Sequence, residues 1–294
     1  MEKKEMSHIG FGLTLIVLLG QVVSVGLMSL APGIFSGVIG GMMSSYIGMY
    51  LIGVPLLLWL TRQMSRATLS KKASPTVKEW LRLSILAIGA SSFINLSFNV
   101  LFMQFTGKNG NVAGESISQL GLIQNLVIVV ILAPIIEELL FRQLFYKLLA
   151  SFGKKNFIIV SSVCFGLFHQ NISQSLYATV LGIVLGGLLW QTGNILYPIL
   201  FHIMFNFISG FLPMLVGTNT IGISILSVWL LLVISGFVVM MVQMIRKKEF
   251  GFLKENVTPN NQVPTRELFL NPGMIVYSLI CVGMMVMILV AQLS

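Results

Sequence analysis

Charge is scarce in this 294-residue chain: Asp, Glu, Lys and Arg make up 9% of it, whereas ordinary soluble domains carry about a quarter. With 56% of residues hydrophobic, no water-soluble fold could hide the apolar surface that remains. Cysteine is nearly missing. Cys164 and Cys281 both lie inside apolar runs, so a disulfide framework is not indicated. No block of soluble-type composition is longer than Arg246 to Asn271, and there is no internal repeat or low-complexity tract. Residues 1–294 are therefore read as a single integral membrane domain, with 246–271 as a polar cytoplasmic linker before the last helix.

What the chain has is a succession of apolar runs. Spanning helices need about 20 mostly apolar residues, and that template predicts segments near 9–30, 37–60, 81–105, 119–149, 156–170, 174–192, 195–211, 221–245 and 273–293. The expected fold is an all-α, polytopic transmembrane bundle of about eight to nine spanning helices. The fifth and seventh segments are short and partly polar, as suits helices packed inside a bundle. Ile9 to Leu30 is too long for the apolar core of a cleaved secretory signal, so it is read as a first spanning helix.

The formal net charge of +9 would suggest nucleic acid as the partner of a soluble protein. Here the basic residues gather in Lys3/Lys4, in Arg62 to Arg82, in Lys154/Lys155 and in Arg246 to Lys254, which fall in alternate loops. Retention of such loops on the cytoplasmic side accounts for them. The bilayer, and not a nucleic acid, is the expected partner, with the N-terminus inside and, for nine crossings, the C-terminus outside. Gly182 and Gly186, four apart, are read as a face for close helix packing.

Ionisable groups inside spanning helices cost about 2.5 to 3.5 kcal/mol each at the helix centre and so need a reason to be there. Glu137, Glu138 and Arg142 share one apolar run, His169 ends the next, and His202 and Asn206 follow on a third. Glu138 and Arg142, four apart, can pair on one helix face, while Glu137 points about 100° away. A carboxylate without a counter-charge suits a general base, and His202 with Asn206 offers groups that could stabilise an oxyanion. Counting about 1.5 Å per residue puts Glu137 about 18 Å, His169 about 20 Å, His202 roughly 10 Å and Asn206 roughly 17 Å from the cytoplasmic ends of their helices, which predicts that they converge on one layer. Any one of these groups alone could equally serve packing.

In these residues the sequence resembles the CPBP family, the CAAX proteases and bacteriocin-processing enzymes also called Abi proteins. Glu137, Glu138 and Arg142 match EExxxR, Phe165 and His169 match FxxxH, and His202 and Asn206 match HxxxN, in the family's order. The resemblance covers roughly 117–213 and implies a catalytic core there, resembling the type II CAAX prenyl endopeptidases. It implies an intramembrane endopeptidase in which Glu137, assisted by His169, activates water against a peptide or membrane-protein substrate. His202 and Asn206 would hold the oxyanion, and Glu138 and Arg142 would orient the site. A bacterial plasma membrane, with the site opening toward the cytoplasm, is the expected location.

Two matters stay open at this level. The chain lacks HExxH, the helix-borne histidine pair that binds zinc, yet Glu137, His169 and His202 could supply three ligands to a divalent metal such as zinc. Metal-free general-base chemistry is preferred. The rival functions are a non-catalytic adaptor or bacteriocin self-immunity protein on the same fold, and a transporter using the buried charges as an ion pathway. No paired broken helices favour the transporter.

Overall fold

Local signals in the sequence mark where several helices begin and end. Thr76 accepts a hydrogen bond from the Glu79 amide while Glu79 accepts one from the Thr76 amide at 2.8 Å, a reciprocal cap that starts one long helix. Gly107, in the left-handed region at φ 70°, closes it. Asn171 caps another by accepting from the Gln174 amide at 3.0 Å. Gly193, at φ 59°, ends that one, and a Cβ there would run into the carbonyl of Ser70.

The computed structural model describes residues 2–108, 110, 112–247 and 264–293. Its long helices are α1 (Glu2–Leu30), α2 (Gly37–Leu60), α3 (Val77–Thr106), α4 (Leu122–Phe152), α5 (Lys154–Phe168), α6 (Ile172–Thr192), α7 (Leu196–Val216), α8 (Thr220–Lys247) and α9 (Pro272–Leu293). All but α5 are long and apolar enough to cross a membrane, which makes eight among the described residues. This is an all-helical integral membrane protein. The seventh segment extends beyond its expected end at residue 211, because the helix continues through a π turn, Phe207–Phe211, and past Pro213. At 15 residues, or about 22 Å, α5 is shorter than the roughly 30 Å hydrocarbon core. Most of the polar stretch 246–271 lies outside the described residues; within it, Thr265–Phe269 forms a helical turn.

The chain divides into two compact units, Met1–Arg66 with Gln262–Met287, and Ala67–Asn261 with Ile288–Ser294. In the first, Gly10 lies so close to the backbone of Gly273 and Met274 that a Cβ would not fit, and the Gly273 amide donates to the Ser7 hydroxyl at 3.0 Å. The second holds α3 to α8, and with them Glu137, Glu138, Arg142, His169, His202 and Asn206. Its core gathers Ala87 and Ile88 of α3, Leu181, Leu185 and Leu188 of α6, and Phe201 and Phe205 of α7. Trp80 meets Phe201 edge to face, with centroids 5.1 Å apart.

Within this unit the connection leading to α3 lies over helix ends. The Ala67 amide donates to the Lys147 carbonyl, and the Lys72 amide to the Thr192 carbonyl, both at 2.8 Å. These bonds satisfy terminal carbonyls that a helix cannot pair internally. Gly182 faces Ser162 of α5, as its spacing predicts for a packing face, and Gly186 faces Ile158.

Candidate functional site

Helix α4 carries the carboxylates, and its backbone is not a uniform α-helix. Asn125–Leu132 and Leu139–Leu144 are π-helical, flanking a short α stretch, Ala133–Glu138, that contains Pro134. Such π segments recur at functional sites because they turn side chains away from the regular register. Glu138 and Arg142 are fully buried and pair as their spacing predicts, Oε2 to Nε at 3.2 Å. Among the described residues no side-chain nitrogen of Arg142 has a well-aligned hydrogen-bond acceptor. Its charge is met instead by Glu138 and by the face of Phe165, whose ring centre lies 4.2 Å from Cζ.

His202 of α7 joins this pair. Its Nδ1 is 2.9 Å from Glu138 Oε1, and its Nε2 is 3.8 Å from Glu137 Oε2. The Nδ1 hydrogen bond fixes the ring and presents Nε2 to Glu137. Glu137 is the more open of the two carboxylates, its side chain 13% exposed. Four of the expected site residues, Glu137, Glu138, Arg142 and His202, therefore meet in one cluster.

His169 and Asn206 border that cluster. His169 caps the C-terminal end of α5, and its Nδ1 is 2.8 Å from the Phe165 carbonyl one turn back. Phe165 packs edge to face with both histidines, at 4.8 Å from His169 and 5.7 Å from His202. The next residue, Gln170, is left-handed at φ 54° and buried, an uncommon conformation for a non-glycine residue, and it turns the chain sharply into α6. Asn206 sits one turn beyond His202 and donates from Nδ2 to the Val129 carbonyl at 2.9 Å. One of its two amide hydrogens is thus committed to the backbone of α4.

The residues do not fit a metal. Among the described residues no three His, Cys, Asp or Glu side chains gather closely enough to hold an ion, so the ligand set Glu137, His169 and His202 does not assemble.

Some polar groups escaped the sequence reading. Asn95 and Asn99 of α3 bond one another at 2.9 Å, and the Ser173 hydroxyl of α6 donates to Asn95 Oδ1 at 2.7 Å. The signal was present as two asparagines four apart in an apolar run, a spacing that puts them on one helix face. Tyr177 of α6 lies within electrostatic reach of Glu137. Nothing in its sequence surroundings distinguishes it.

Residues 119–208 match the family described as type II CAAX prenyl endopeptidase Rce1-like. Over 79 residues the chain is 35% identical to a protein of Bacillus subtilis (strain 168) named "Putative membrane peptidase YdiL", an alignment that covers 26% of this chain and 32% of that protein. The chain thus spans about a third of the length of the curated relative it matches. No solved structure matches it.

Proposed function

We propose that this chain, which matches the Rce1-like type II CAAX prenyl endopeptidase family over residues 119–208, is an intramembrane endopeptidase acting by general-base catalysis. The observation that carries this reading is the unequal pair of carboxylates. Glu138 is fully buried and tied to Arg142 and His202, whereas Glu137 is partly open and 3.8 Å from His202. One acid is structural and the other is available to water.

In the proposed reaction Glu137 takes a proton from water as the water oxygen bonds to the scissile carbonyl carbon. His202, held by Glu138 at Nδ1, stabilises the oxyanion together with the second amide hydrogen of Asn206. The tetrahedral intermediate then collapses, the C–N bond breaks, and Glu137 passes its proton to the leaving amine. His169, through Nε2, orients the water. The substrate is a peptide segment of a membrane-associated protein. The basic loops favour a cytoplasmic N-terminus and a site reached from the Lys154 end.

The test is cleavage of a panel of peptides and small membrane substrates in proteoliposomes. Glu137→Gln, His169→Ala and His202→Ala should each lower turnover by about a hundredfold or more, with the thermal unfolding midpoint of Glu137→Gln and His169→Ala near that of the wild type. Full activity in Glu137→Gln would sink the mechanism. Peptide binding that survives all three changes, with no cleavage by any form, would favour an adaptor.

A further inference from the structure

We infer that Pro134 is a positioning residue, freeing the Val129 carbonyl so that it can hold the Asn206 amide in place. In the π register of α4 the Ala133 amide donates five residues back, to the Ile128 carbonyl. The Val129 carbonyl could be paired within the helix by the amides of residues 133 or 134. The first is taken, and the second belongs to a proline, which has no N–H. A carbonyl left open in a membrane helix must find a donor elsewhere, since nothing in hydrocarbon can supply one.

Asn206 supplies it from across the helix interface at 2.9 Å. His202, one turn earlier on α7, meets Glu138 on α4 at the same distance. These two bonds run in opposite order along the two helices, 206 with 129 and 202 with 138, and so pin α7 against α4 at two levels. With one amide hydrogen held by Val129, the orientation of Asn206 is fixed and its other hydrogen is directed by the backbone of α4. A side-chain amide near a carbonyl must present nitrogen, so this bond also decides which end of the amide points where.

Only the kinetic arm of the test rests on the proteolytic reading. In full-length protein labelled with 15N at asparagine, the Asn206 side-chain resonance is identified by its loss in Asn206→Ala. Pro134→Ala restores a backbone donor within reach of Val129, in a residue that favours helix, so the variant is expected to fold. Its Asn206 resonance should move toward that of a free amide. On a cleaved peptide, kcat should fall about tenfold or more with KM within about twofold, because the loss falls on the transition state. The double variant should lose no more than Asn206→Ala alone, the mark of two residues acting through one bond. An unmoved resonance, or losses that multiply in the double variant, would overturn the inference. A moved resonance in a protein that cleaves nothing would uphold the Pro134 device and count against the proteolytic reading instead.

Discussion

At the scale of single residues, the Glu138–Arg142 pair holds the site together at a cost. Both groups are fully buried; Glu138 is met by Arg142 and His202, and Arg142 by Glu138 and the face of Phe165. Removing one partner leaves the other charge stranded, which typically costs about 3 to 5 kcal/mol, whereas replacing both by apolar groups of similar volume is often neutral. Glu138→Ala should therefore lower the unfolding midpoint in detergent markedly, and the pair Glu138→Leu with Arg142→Met should recover most of that loss without restoring the proposed cleavage. A double variant no more stable than the single one would show that the ion pair is not what makes Glu138→Ala costly. Spacing alone made this pair legible, since a separation of four fixes a shared helix face. The bond from His202 to Glu138 was not legible, because it depends on where α7 meets α4.

Among elements, the packing of α5 against α6 sets where His169 stands. Gly166, one turn before His169, has no room for a side chain: a Cβ there would meet the Thr179 hydroxyl and come within 2.6 Å of the Ser175 carbonyl. Gly166→Ala should destabilise the protein by about 1 to 3 kcal/mol through overpacking, read as a lower unfolding midpoint, and should displace His169 enough to reduce cleavage. Counting helical rise placed His202 and Glu137 about 8 Å apart in depth, yet their side chains lie 3.8 Å apart. The count took every helix as perpendicular to the membrane and ignored the reach of Glu and His side chains. It also took α4 as uniformly α-helical. The π turns around Pro134, and with them the open Val129 carbonyl, arise from tertiary packing that hydrophobic periodicity does not record.

For the molecule as a whole, composition was enough to give an all-helical membrane protein, because apolar runs of spanning length leave few alternatives. The division into two units was not visible, since the polar stretch that holds the boundary at Arg66 reads like any other loop between spanning segments. The proposed orientation can be checked with Lys155→Cys, as the native Cys164 and Cys281 are both buried and should stay unlabelled in the folded protein. A membrane-impermeant maleimide should reach Cys at 155 from the cytoplasmic side only; labelling from the outside would invert the topology. The shortness of α5 bears on biogenesis as well. A helix of 15 residues that ends in a sharp polar turn cannot rest in lipid as a separate segment, because its last carbonyls would face hydrocarbon. It has to enter as a hairpin with α6 and be sheltered by protein on arrival, so the residues bearing His169 are inserted and assembled in the same event.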